Sequence, residues 1–274
     1  MENKINLVLG AVAVALVAVV AVLGWQNNEL ATIVKSGGGG TCPLGAAGME
    51  GLRMNIVTVA HSDEFYNIKA EYPQFAGADA VFNGKIAAAV NGQIEAFKKE
   101  AKDNFDARNA TLPAGQVAKP NPDEPFDFVA VWTPGQFGPR VASFMLDIYY
   151  FSGGAHGQDQ IFAFNYDLQN QKEILMGDFL GGQANLEKLA KMAQERVTGQ
   201  LESDGLPVND SLKQMVQDGT QAKPENYRNF TFGNGKLSIY FEQYQVAPGS
   251  EGTIKIDFYK KDLEQNGISA AFLD

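Results

Sequence analysis

The sequence predicts an α+β fold in which antiparallel sheets are packed by two long amphipathic helices, after an N-terminal transmembrane helix. Val141–Phe151 and Gln160–Leu168 place apolar residues at every second position, Phe144, Leu146 and Ile148 in the first and Phe162, Phe164 and Tyr166 in the second. That is the period of half-buried strands. Ala78–Phe105 switches period, with Phe82, Ile86, Val90, Ile94, Phe97 and Ala101 recurring every three or four residues, as on a helix packed against a sheet. Ile5–Trp25 is almost wholly Ala, Val, Leu and Ile, and about 20 such residues cross a bilayer as a helix.

Taken in order, Ile5–Trp25 reads as an uncleaved signal anchor, because a cleavable signal has a shorter apolar core, with cleavage after one of the alanines as the alternative. Trp25 suits the membrane interface, and Lys4 with the amino terminus favours an N-terminus inside. Ser36 and the four glycines after it mark a flexible spacer. Leu52–Ala60 and Phe65–Tyr72 read as strands, the second closed by Pro73. The long helix follows, its lysines on a solvated face. Asn109–Pro125 is Pro-rich and is read as a divide between subdomains.

Beyond it, Phe126–Trp132 alternates as a strand ended by Pro134-Gly135. The strands at Val141 and Gln160 flank Ser152-Gly153-Gly154-Ala155-His156-Gly157, a hairpin loop whose glycines permit backbone angles closed to other residues. A short helix is expected at Met176–Leu180, a second amphipathic helix over Leu186–Leu201 with Asn185 as N-cap, and a third, short one at Ser211–Gln217. Tyr227–Phe232 and Lys236–Glu242 form a second hairpin turned at Asn234-Gly235, and Ile254–Phe258 a last strand. Helices and strands come in runs, which favours antiparallel pairing. The expected domains are 1–25 (anchor), 26–50 (linker), 51–125 and 126–274.

The formal net charge of −10 argues against a nucleic-acid partner, which needs a basic stripe. Opposite fields would instead speed encounter with a basic protein. The single cysteine, Cys42, excludes an intrachain disulfide and lies too far from the apolar segment to be a lipidation site. His156 with Asp159 orienting it is the one general-base candidate, but no nucleophile motif accompanies it. Asp147, Asp167 and Asp178 are candidate glycosidase carboxylates. Tyr149, Tyr150, Tyr240 and Tyr244 are candidate platform aromatics. No metal motif, phosphate loop or dinucleotide fingerprint occurs, so no cofactor is expected.

Several stretches are more specific. They are Tyr149-Tyr150-Phe151-Ser152-Gly153-Gly154-Ala155-His156-Gly157, Phe164-Asn165-Tyr166-Asp167-Leu168, Asp178-Phe179-Leu180, and Leu237 to Gly249 with its Tyr244-Gln245-Val246-Ala247-Pro248. With these, the C-terminal half resembles the RsiV/PdaC-type extracytoplasmic domain family, a domain of unknown function. The part from Asn67 to Phe97, including Tyr72-Pro73, resembles the PdaC-type domain that commonly precedes it. The resemblance implies a cell-envelope protein. In the anti-sigma member RsiV the fold recognises lysozyme, so a protein-binding role is implied. Met1–Lys4 is too short for the sigma-binding segment of that member. PdaC carries a separate metal-dependent deacetylase domain, whose chemistry needs an aspartate and two histidines. The two histidines here, His61 and His156, lack that spacing, so no deacetylase is expected.

The expected function is a membrane-anchored, non-catalytic binding domain outside the cytoplasm, recognising a cell-wall glycan or an envelope protein, a basic lysozyme-like one among them. Its binding residues are expected to be His156, Asp159, Tyr244 and Pro248, on one surface built from the Ser152–Asp159 loop and Tyr244–Ser250. A cell-wall hydrolase using His156 and nearby acids, and a purely structural envelope protein, are the alternatives.

Overall fold

The computed structural model describes residues 53–76, 78–120, 125–154 and 156–273. The expected anchor at Ile5–Trp25, the glycine spacer and Cys42 lie outside the described residues. Among the described residues no helix is long and apolar enough to cross a membrane.

Two sheets and two apolar cores make up the fold. The first sheet has six strands in sequence order: β1 (Arg53–Ser62), β2 (Tyr66–Ala76), β3 (Phe126–Phe137), β4 (Val141–Phe151), β5 (Gln158–Asp167) and the two-residue β6 (Lys172–Glu173). Helix α1 (Ala80–Ala110) lies across one face. Its stripe of Phe82, Ile86, Val90, Ile94, Phe97 and Ala101 is buried against Ile68, Phe128, Leu146, Ile148 and Phe164. Asp79 starts the helix by accepting from the Phe82 N–H at 2.6 Å, and its other oxygen accepts from the Tyr166 hydroxyl at 2.8 Å. These bonds, the Phe82 N–H first, hold the Asp79 carboxyl below the ordinary range. One capping residue thus fixes the helix to the sheet.

The second core lies between a three-stranded sheet, β7 (Phe230–Gly233), β8 (Lys236–Phe241) and β9 (Ile254–Tyr259), and helices α2 (Met176–Leu180), α3 (Gln183–Ser203), α4 (Asp210–Gly219) and α5 (Lys260–Gln265). Leu189, Ala193, Val197 and Leu201 of α3 face Phe232, Leu237, Ile239 and Phe258. Asn234 and Gly235, both at positive φ, make the β7–β8 turn.

Four expectations need correction. The first sheet is mixed, because β2 and β3 pair in parallel from Tyr66↔Phe126 to Ala70↔Ala130, and α1 supplies the crossover that parallel neighbours require. Strand β3, which follows the Pro-rich stretch, therefore belongs to the same sheet as β1 and β2. Pro73 does not end β2: it pairs with Ile56 of β1, and the β3 pairing has already stopped at Ala70, so no ladder bond is lost on that side. Pro134-Gly135 does not end β3 either, since the strand passes through a bulge there and pairs with β4 as far as Phe137. Finally, Gly182 and not Asn185 precedes α3, and the Asn185 amide donates back to the Leu180 carbonyl at 2.8 Å.

The two layers meet at that bulge. A Cβ on Gly135 would stand 2.5 Å from the Phe232 carbonyl, so only glycine lets β3 and β7 approach this closely. Beside it, the buried Ser143 hydroxyl donates to Asn165 Oδ1 at 2.6 Å and accepts from the Phe232 N–H at 2.8 Å. Asn165 Nδ2 donates to the Phe230 carbonyl at 2.7 Å.

Candidate functional site

Between β5 and the segment leading into β7 the two layers leave a cleft of about 990 Å³. Its near wall is β5 with the end of the β4–β5 loop. Its far wall is the turn at Pro224–Tyr227, Arg228, Asn229 and the Glu242–Tyr244 corner.

The near wall is held by α1. The Ser152 hydroxyl donates to Glu100 at 2.6 Å, and Asn104 donates to the Ser152 carbonyl at 3.0 Å. Gly153 and Gly154 stand at φ 96° and 116°, and a Cβ on Gly153 would come within 3.2 Å of the Phe126 ring. The loop is therefore fixed at its base, and it carries His156 outward. The His156 Nδ1 donates to the Gly157 carbonyl at 2.9 Å. Asp159 is not its partner, so the histidine–carboxylate relay that a general base needs is not assembled among the described residues. Tyr149, exposed, lies over Gly157, where a Cβ would collide with its ring.

The Glu242–Tyr244 corner of the far wall is held by the stretch Gln243-Tyr244-Gln245-Val246-Ala247-Pro248, of which Gln243 and Tyr244 line the cleft. Val246 and Ala247 enter the second core. Gln245 donates to the carbonyls of Gly219 (3.1 Å) and Asn226 (3.0 Å), and Gln243 donates to that of Gly249 (2.6 Å). Held between them, Tyr244 adopts φ 68° and remains 60 % exposed, its ring over Gly249. A bulky non-glycine residue at positive φ is strained, and such strain persists only where the surroundings over-determine it. Glu242 accepts from Arg228 at 2.6 Å and from Asn229 Nδ2 at 3.0 Å, and Asn229 Oδ1 in turn accepts from the Ala163 N–H of β5 at 3.4 Å.

His156, Asp159 and Tyr244 thus line one cleft, brought there from separate layers. Pro248 does not line it: the residue is exposed and caps the turn at Gly249–Glu251. Arg228, Asn229 and Glu242 were not singled out from sequence, because isolated polar residues in a connection carry no period; the Asn229–Glu242 pairing appears only once β7 and β8 are placed together. Asp147 lies on the opposite face of the first sheet from α1, where burial pushes its carboxyl up, a Thr133 hydrogen bond opposes this, and the charge of Asp159 adds to it. The two histidines stand toward opposite edges of the sheet, on β1 and before β5, a separation of about 19 Å at four strand spacings. Among the described residues no group of three or more His, Cys, Asp or Glu side chains is placed to hold a metal ion.

Residues 59–159 match the family described as deacetylase PdaC, and residues 178–260 match the DUF3298 family, a protein family of unknown function. The chain thus resembles a PdaC-type domain followed by a DUF3298 domain. The first sheet with α1 holds the first match and the second core holds the second; of the cleft, His156, Gln158 and Asp159 fall in the first match, Arg228, Asn229, Glu242 and Tyr244 in the second, and the Gln160–Asn165 part of β5 between the two. The peptidoglycan-N-acetylmuramic acid deacetylase PdaC of Bacillus subtilis is 25% identical over 222 residues, which are 81% of this chain and 43% of that protein. The chain therefore spans less than half the length of that relative. Crystal structures of DUF3298 family proteins from Bacteroides fragilis (TM-score 0.53, 15% identity, covering 80% of this chain and 94% of that one) and Pseudomonas aeruginosa (TM-score 0.51, 15% identity, covering 79% and 94%) share the α+β fold.

Proposed function

We propose that this PdaC-like and DUF3298-like chain is a membrane-anchored binding module outside the cytoplasm, whose cleft between the two layers recognises a cell-wall component or an envelope protein without turnover. The observation that carries this reading is the strained, exposed Tyr244 set opposite His156 and Asp159 across a cleft of about 990 Å³. That volume lies at the upper end of ligand pockets, which run roughly 300–1,000 Å³. A rigid aromatic at the rim is the residue type that anchors recognition. Binding is favoured over hydrolysis because, among the described residues, no carboxylate orients His156, whose Nδ1 bonds the adjacent carbonyl instead. The relative's deacetylase activity is that of a protein of which this chain matches 43%, and the two histidines here are too far apart to share one ion.

Purified full-length chain, mixed with peptidoglycan and with envelope extract at moderate salt, should give saturable binding with no product released. Tyr244→Ala should weaken it at least tenfold. Membrane fractionation should retain the full chain in the membrane, as the Ile5–Trp25 segment leads one to expect. Turnover of peptidoglycan abolished by His156→Ala would replace this reading with the hydrolase.

A further inference from the structure

The cleft wall contributed by β5 is an open sheet edge. Strand β6 covers β5 only at Tyr166 and Asp167, and the Ile174 N–H bonds the Asn165 carbonyl just before them. Ala163 directs its N–H toward Asn229, away from β4. In an antiparallel strand alternate residues direct their backbone groups the same way. The β4–β5 register runs without a bulge, so Ile161 and Asp159 face the cleft as Ala163 does. Both backbone groups of Asp159 and of Ile161, and the carbonyl of Ala163, have no partner among the described residues. Edge strands ordinarily carry a proline, a lysine or a bulge that blocks pairing. The Gln158–Asn165 stretch carries none of these.

We propose that the cleft binds its partner by strand addition: an extended polypeptide segment with Lys or Arg at alternate positions pairs with Asp159–Ala163 as the next strand of the first sheet. The proposal rests on the cleft being the binding site. A strand added at about 4.8 Å from β5 matches all the open backbone groups at once, which a glycan hydroxyl array does not. Charge selects the cationic segment. Asp159 and Glu225 face the cleft without an ion-pair partner among the described residues, whereas the cleft's Arg228 is already engaged by Glu242. Tyr244 then lies across the cleft from the added strand as an aromatic anchor.

The test uses the full-length chain and a labelled ten-residue peptide alternating Lys with Val and Thr. Three comparisons accompany it: the same peptide N-methylated at alternate residues, a Glu-for-Lys version, and soluble peptidoglycan fragments. Anisotropy should show saturable binding of the Lys peptide, at least tenfold weaker on N-methylation and lost in the Glu version. Amide exchange at Asp159 and Ile161 should slow on adding the peptide. Asp159→Pro removes an edge donor while leaving the β4 ladder intact, and should reproduce the tenfold loss at unchanged Tm. If that variant does not fold, the N-methyl comparison on the native chain decides. Equal affinity for the N-methylated peptide overturns strand addition, as does unchanged exchange at the two amides. Exchange already slow before peptide is added does the same, since the edge is then occupied by the chain itself. Saturation by peptidoglycan fragments with no peptide binding also overturns it while leaving the recognition reading standing. Absence of both overturns the two together.

Discussion

Replacing Ser143 by Ala tests whether the two layers are joined by the buried polar pair. Ser143 has no exposed surface and Asn165 is 2% exposed. The hydroxyl serves two partners, Asn165 Oδ1 at 2.6 Å and the Phe232 N–H at 2.8 Å, and both partner residues are buried. Each buried group left without its bond costs about 1–3 kcal/mol, less the cost of burying the hydroxyl itself, so the variant should lose about 2–4 kcal/mol. For a domain pair of this size that is a fall in Tm on the order of 10 °C. Urea unfolding followed by circular dichroism and tryptophan fluorescence measures it. Because the lost bonds lie between the cores, the unfolding curve should also broaden or split, the first layer and the second no longer melting together. Pairing Ser143→Ala with Asn165→Leu, which removes both polar partners, should cost less than the sum of the single changes. A loss under about 0.5 kcal/mol, the range of ordinary surface substitutions, would refute the reasoning.

Gly153→Val should lower Tm more than His156→Ala, since a β-branched residue at φ 96° is strained and meets Phe126, whereas the exposed imidazole bonds only its neighbour; equal melts would count against a structural loop. Tyr244→Gly should leave stability equal or raise it by about 1 kcal/mol, through relief of positive φ, while weakening partner binding; a marked fall in Tm would make the tyrosine a packing residue. At Asp167, burial pushes the carboxyl up, but hydrogen bonds from Asn170 and Gln169 overcome it and hold it below 3.8. Its contribution is therefore present above the ordinary carboxylate value and lost as pH falls through the lower folded value, so Asp167→Asn should cost about 1–2 kcal/mol at pH 7 and progressively less below pH 4. Asp147 has the opposite sign: its raised folded value favours the protonated form, so Asp147→Asn should stabilise at pH 7, and the gain should fade in acid; thermal melts from pH 3 to pH 7 check both.

The elements that announced themselves in sequence were those whose period is set by one neighbour. Strands β4 and β5 alternate because one face meets α1, and α1 carries its stripe for the same reason. Helix α2 was read at Met176–Leu180, where the structure has it. What escaped depends on who lies alongside. Pro73 and Pro134 look like strand ends when read locally, yet each occupies a position where the sheet asks for no donor or has bulged. The parallel β2–β3 pairing follows from α1 returning the chain to the same end of the sheet, which no residue pattern states. The cleft was half legible: the glycine loop and the Tyr244 corner stand out as signatures, so His156, Asp159 and Tyr244, which line it, could be singled out. The wall of Arg228, Asn229 and Glu242 and the open edge of β5 are properties of placement, because an unpaired N–H looks the same in sequence as a paired one.

The close approach of Gly135 to the Phe232 carbonyl has a further consequence, for divergence among relatives. The two layers touch there through main chain, and a main-chain contact is indifferent to which side chains drift elsewhere. Substitutions that repack either core leave this joint where it is. The cleft walls at Arg228, Glu242 and Tyr244 lie away from it, and they can change identity without resetting the spacing between the layers. On the proposed reading of the cleft, partner preference and architecture can be inherited separately: a few wall residues can be edited without moving the joint, while a single added methyl at Gly135 would force the two layers apart.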